Sequence, residues 1–157
     1  RARRHMDAGR PRFDADRRER DELAERFLEA FRDGDVDGLR ELLAADVALV
    51  GDGGGKAPQL ARAVMGSLNV ARVLAAVMPP LLRIGVTIEP HEMNGQPGAI
   101  FRDRDGKVLY TWTLDILDGR IQAIRSLVNP DKLGHLGPVA DAWAVAREMH
   151  RARRHPD

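Results

Sequence analysis

The sequence predicts an α+β fold in which N-terminal helices pack on one face of a curved antiparallel sheet. Three observations carry this. Apolar residues recur at helical spacing through the first half of the chain and switch to strand-like alternation after about residue 84. Asn94-Gly95, Asp105-Gly106 and Asp118-Gly119 separate the alternating runs, and such dipeptides favour tight hairpin turns. At 157 residues the chain has the length of one domain with a single sizeable core.

Residues 1–13 read as a helix end and linker, because Pro11 disfavours continuation of a helix. From Asp16 a helix is expected, with Leu23, Phe27, Leu28, Ala30 and Phe31 at its spacing and Asp33-Gly34-Asp35 as its stop. A short second helix follows with Val36, Leu39, Leu42 and Leu43 on one face. ADVALVG, 45–51, reads as a strand. Pro58 is expected to open a third helix with Leu60, Val64, Leu68, Val73, Leu74 and Val77 inward, ended by Pro79-Pro80. Four strands then follow at 84–93, 98–103, 107–117 and 120–129. Along the third of these Tyr110, Trp112, Leu114 and Ile116 face one way, and Thr111, Thr113, Asp115 and Leu117 the other. Residues 139–151 read as a last amphipathic helix with Val139, Trp143, Ala146 and Met149 on its stripe.

Composition narrows the function classes. Aromatic residues make up only 4%, so the core is expected to consist of Leu, Val, Ile and Ala. The absence of cysteine rules out disulfides, iron–sulfur clusters and thiolate zinc sites and fits a reducing cytoplasm. No apolar run approaches 18 residues and no apolar region follows the N-terminal charges, so neither a membrane span nor a signal peptide is expected. Residues 1–20 carry eight arginines against four acids, and 147–157 four arginines against two acids; 21–146 hold thirteen basic and eighteen acidic residues. Basic ends flanking an acidic body suit solvation or contact with acidic partners and nucleic acid.

VGDGGGK, 50–56, invites a phosphate-loop reading. A Walker loop needs four residues between its first glycine and the Gly-Lys, then a hydroxyl for magnesium. Here three residues separate Gly51 from Gly55, and Ala57 follows Lys56. A strand-to-helix turn explains Asp52 and Pro58, yet three adjacent glycines exceed what one turn requires. They allow another backbone to approach closely, with Asp52 and Lys56 as opposite charges at the rim.

Catalysis in a cup of this kind needs an acid or base in an apolar setting. Asp52, His91, Glu92, Tyr110 and Asp115 are the titratable candidates; Asp115 alternates with apolar neighbours in mid-strand and so is the best placed to face the cup. His91 beside Glu92 near a hairpin reads more simply as exposed. No Ser/His/Asp order and no His-x-x-x-His pair is present, so no catalytic set, metal or cofactor is assigned.

Helices first and a hairpin-rich sheet after resemble the nuclear transport factor 2-like (NTF2-like) cone, the fold of ketosteroid isomerase and the SnoaL polyketide cyclases. Two motifs sharpen the match. DGGGK at Asp52–Lys56 and NPDKL at Asn129–Leu133, with RARRH, RPRF, DGDVDGL and SLNVARVL in order around them, resemble the C-terminal part of extracytoplasmic-function sigma factors that carry a fused SnoaL-like extension, the SigJ-like type. The resemblance covers 1–150. It implies that 1–15 is the tail of sigma region 4 plus a linker, 16–137 the SnoaL-like domain, and 138–157 a C-terminal helix with a basic tail.

It further implies a cytoplasmic regulatory module that is not an enzyme. Its partners would be sigma regions 2 and 4 of the same parent chain and, through that parent, the RNA polymerase core and promoter DNA. Asp52, Gly53, Gly54, Gly55 and Lys56 with Asn129, Pro130, Asp131, Lys132 and Leu133 would form the docking surface on the sigma core. The alternative is a small-molecule-binding or cyclase/isomerase-like SnoaL cup lined by Asp115, Tyr110, Trp112 and His91. Pairing of two copies through the open sheet face is a third arrangement.

Overall fold

In the computed structural model the backbone is described for residues 2–52 and 63–154, and side chains from Asp16 onward within those ranges. The expected turn at Gly53–Lys56 and the helix start at Pro58, with Leu60, lie outside the described residues.

Helix α1 spans Ala2–Asp33 without interruption at Pro11. Proline lacks the N–H that would bond the Asp7 carbonyl, and the helix continues past it. The C-terminal half buries Leu23, Phe27, Leu28 and Phe31, spaced so that all fall on one side. Helix α2, Val36–Leu42, starts where the Asp35 carboxylate accepts from the Gly38 amide, an N-cap that satisfies one of the free amides of its first turn.

The sheet has six strands: β1 (Leu43–Asp52), β2 (Val64–Met65), β3 (Thr87–Met93), β4 (Gln96–Arg102), β5 (Val108–Leu117) and β6 (Arg120–Leu127). Their order is β2-β1-β6-β5-β4-β3. Strands β3 to β6 form the expected antiparallel meander. Its Asn94-Gly95 and Asp118-Gly119 turns have φ of 51° and 78° and of 53° and 72°, the left-handed pairs of a tight hairpin. The first strand departs from the all-antiparallel expectation, because β1 pairs parallel to β6. A parallel partner requires a crossover, and the helix at Ser67–Arg83 with the meander supplies it.

Helix α3 is Ser67–Arg83. It begins later than expected, since Val64 belongs to β2, and it runs through Pro79 and Pro80 rather than ending there. The two prolines forgo bonds to the Ala75 and Ala76 carbonyls. Burial of Pro80 and Leu81 and the Val86 amide bonded to the Leu81 carbonyl at 3.1 Å hold the final turn. After β6 come α4 (Pro130–Leu133), a 3₁₀ turn (Gly134–Leu136) and α5 (Ala142–Arg154). Val139 bridges to Val108 instead of starting the last helix. The inward stripe of α5 is Ala142, Val145, Ala146 and Met149; Trp143, expected on that stripe, is 49% exposed. It sits one residue out of register with the apolar positions and so turns away from them.

Leu, Val, Ile and Ala supply most of the core, but aromatic rings form its centre. Phe27 and Phe31 from α1 meet Phe101 and Trp112 from the sheet, and Tyr110 stacks on Phe101 with centroids 4.3 Å apart. A smaller cluster lies on the other face of the sheet, where Leu133 and Leu136 pack with Ile100 and Leu127.

Candidate functional site

The parallel pairing of β1 with β6 brings the two sequence motifs together. Asp52, last residue of β1 and first of DGGGK, lies opposite Leu127 at the end of β6. Its carbonyl accepts from the Val128 and Asn129 amides at 2.8 and 3.0 Å. Asn129, the first residue of NPDKL, is buried and caps α4 through its side-chain oxygen on the Asp131 amide at 3.1 Å. Pro130 occupies the first helical turn, where its missing amide costs nothing. Lys132 then reaches back, its Nζ lying 2.8 Å from Asp52 Oδ2. Leu133 is buried beneath. Charges on different motifs are therefore paired across a gap of eighty residues in sequence. Asp131 is exposed and also holds a further contact. Gly53, Gly54, Gly55 and Lys56 lie outside the described residues.

Beside this junction the outer sheet face carries a cleft of about 550 Å³. Asp52 and His135 stand at its edge with His91, Glu92, Thr113 and Arg125. Glu92 is engaged by Arg17 of α1 at 2.8 and 2.9 Å, and Arg125 by Asp115 at 3.0 Å. His135, Arg125 and Thr113 were not singled out by sequence reasoning. The outward alternation of Thr111, Thr113 and Asp115 was the available signal, but it needed the strand register to show what faced it.

The helix-side cup is separate. It is an apolar cavity of about 280 Å³ between α3, α5 and the sheet, lined by Leu49, Val73, Val77, Val145 and Met149, with Tyr110 and Trp112 on its floor. Ser126, the Tyr110 phenol and Trp112, with its indole N–H, are the lining residues whose side chains carry a polar atom, among the described residues. Burial in this apolar setting pushes the Tyr110 phenol well above its ordinary value.

Two of the residues read as pocket candidates, Tyr110 and Trp112, thus meet in the cup. Asp115 does not: the pleat turns it to the opposite face, where it pairs with Arg125 and remains 36% exposed. His91 is exposed on β3 and belongs to the outer cleft. Among the described residues the cup wall offers no carboxylate, imidazole or amine for acid–base chemistry. No group of three or more His, Cys, Asp or Glu among the described residues is arranged to hold a metal. No described helix is long and apolar enough to cross a membrane.

Helices α1, α3 and α5 packed on one face of a curved six-stranded sheet, with an apolar cup between them, define an NTF2-like, SnoaL-like domain. No family model matches the chain. It is 31% identical over 121 residues to the extracytoplasmic-function RNA polymerase sigma factor SigJ of Mycobacterium tuberculosis, over 71% of this chain and 38% of the relative. The crystal structure of that sigma factor is similar with a TM-score of 0.59 and 28% identity, covering 78% of this chain and 46% of the other. An NTF2-like protein of unknown function from Mesorhizobium loti shares the fold at 18% identity and a TM-score of 0.51, over 71% of this chain and 92% of its own. The chain is a homologue of SigJ-type extracytoplasmic-function sigma factors and spans less than half the length of the relative it matches.

Proposed function

We propose that this domain is the regulatory C-terminal module of an extracytoplasmic-function sigma factor in the cytoplasm. It adjusts transcription initiation in cis by docking on the sigma core. The observation that carries the reading is the Asp52–Lys132 pair, which joins the DGGGK and NPDKL motifs into one surface on a sigma-factor homologue. The main-chain bonds from Val128 and Asn129 to Asp52 fix where that surface stands. The glycines between Asp52 and Lys56 would allow a core segment close access to the backbone. Sigma regions 2 and 4 are the docking partners, and RNA polymerase and promoter DNA are reached through them. Displacing the contact changes how regions 2 and 4 are spaced on the polymerase.

The test is Gly54→Val in the full-length parent, which narrows access without changing charge. Altered transcript yield with weakened domain contact is expected. Unchanged transcription and unchanged contacts would overturn docking through this loop.

A second reading is favoured by the apolar cup. A small, mostly apolar molecule carrying a hydrogen-bonding group fits a cavity of about 280 Å³ whose lining includes the Tyr110 hydroxyl, Ser126 and Trp112. Binding there would couple a metabolite to docking. A hydrophobic dye displaced by such a ligand in wild type, but not bound by Ala146→Phe, is the expected result; equal dye binding by both would remove this reading.

A further inference from the structure

The outward side of α5 carries a basic ridge. Arg147, His150, Arg151 and Arg154 recur at i, i+3, i+4 and i+7, so they share one face of the helix. All four are exposed, and Trp143 stands half exposed four residues before Arg147, at the head of the same stripe. The opposite side, with Val145, Ala146 and Met149, is turned to the cup.

Local structure accounts for only part of these charges: Arg151 and Arg154 lie in the last turn of α5. Cations in a last turn complement the helix dipole within that turn, and Arg83 already donates to the Ala152 carbonyl there at 2.8 Å. Glu148, the acid within α5, is directed to Arg104 at 3.1 Å. Among the described residues no carboxylate forms an ion pair with Arg147, His150, Arg151 or Arg154. Like charges one turn apart repel rather than stabilise a helix. That repulsion is relieved when a polyanion lies along the ridge.

We propose that this ridge binds the phosphate backbone of duplex DNA. Seven residues at 1.5 Å rise extend about 10 Å, roughly the axial length of three phosphates of one strand. Arginine supplies most of the ridge, and its planar fork matches phosphate oxygens in pairs. The preference for DNA over an acidic protein rests on the sigma-factor reading, which keeps the domain beside promoter DNA.

The experiment is fluorescence anisotropy of the 157-residue chain with an end-labelled duplex across a salt series. Arginines in residues 1–20 also contribute to binding, so the readout is the difference between variants. The triple variant Arg147→Gln/Arg151→Gln/Arg154→Gln is expected to make the slope of log K against log salt shallower by about 2.7, with about tenfold or more loss of affinity at 100 mM. The corresponding triple lysine variant, which keeps the charges, should keep the slope within about half a unit of wild type. A glutamine variant with the wild-type slope overturns the proposal. So does a polyglutamate peptide that binds the ridge more tightly than the duplex, in favour of an acidic protein partner. Asp52→Asn should leave duplex binding unchanged, so failure of the ridge and failure of the docking surface read out separately.

Discussion

Replacing either member of the Asp52–Lys132 pair should leave the domain folded, and the size of the effect follows from its exposure. The side chains are 48% and 58% exposed, and the charged atoms approach to 2.8 Å. Unit charges in contact gain about 1 kcal/mol in water and several times more at a dry site. Half-exposed groups lie near the wet limit and lose part of that gain to side-chain ordering, so a coupling of about 0.2–1 kcal/mol is expected. The cycle Asp52→Asn, Lys132→Met and the double variant, followed by urea unfolding at 50 mM and 1 M salt, measures it directly. The double-mutant design matters because Asp52 has a further contact, which single substitutions would include. A coupling that shrinks at high salt is predicted. A value above about 2 kcal/mol would mean a desolvated pair and would refute the argument from exposure. Under the docking proposal, these substitutions would disturb the contact without unfolding the domain, since the amides of Val128 and Asn129 still hold the Asp52 carbonyl.

Phe31→Ala removes the fully buried ring that contacts Phe101 and Trp112; a loss of about 3–5 kcal/mol is expected in thermal or urea unfolding. Gly98→Ala would drive a Cβ into the Trp112 carbonyl oxygen of the neighbouring strand. Backbone has no rotamer to escape with, so more than about 2 kcal/mol should be lost by the same assay. Asn129→Ala removes the cap of α4 and should cost about 0.5–2 kcal/mol, while Asn129→Asp should restore most of it. Tyr110 has its folded value raised above the unfolded value of 10.0. Its contribution is fully present below pH 10 and is lost as pH rises through the folded value, because the unfolded chain ionises first. Unfolding free energy should therefore fall above pH 10, and Tyr110→Phe should flatten that fall.

Much of the fold was legible because local chemistry and global pattern agree. The Asn94-Gly95 and Asp118-Gly119 turns, the Asp33-Gly34-Asp35 stop and the α1 stripe from Leu23 to Phe31 each depend on neighbours within a turn or two of chain. What escaped was set by distant packing. Pro79 and Pro80 read as a stop, but burial of Leu81 outweighs two missing amide bonds. Residues 45–51 read as a strand with no partner assigned, and the parallel register of β1 with β6 is invisible without the tertiary crossover. That register determines the candidate site, because it places Asp52 against Asn129 and Lys132. Asp115 shows the same limit. Alternation correctly placed it opposite Tyr110, Trp112 and Leu114, yet which of the two faces formed the cup depended on where α3 and α5 packed. The low aromatic content also misled, since Phe27, Phe31, Phe101, Tyr110 and Trp112 are gathered at one centre rather than spread through the chain.

The docking surface and the basic ridge make different demands on a longer parent. Docking needs sigma regions within the same chain, whereas the ridge can be titrated with DNA alone. The central claim is that this domain acts on transcription in cis through the Asp52–Lys132 junction. It is tested most directly by polymerase-dependent transcription in vitro with three forms of the full-length parent: wild type, the Asp52→Asn/Lys132→Met variant, and a form lacking the domain. The double variant, folded and as stable as wild type within about 1–2 kcal/mol, should shift transcript yield in the same direction as loss of the domain. Equal yields from wild type and the domain-deleted form would contradict the claim.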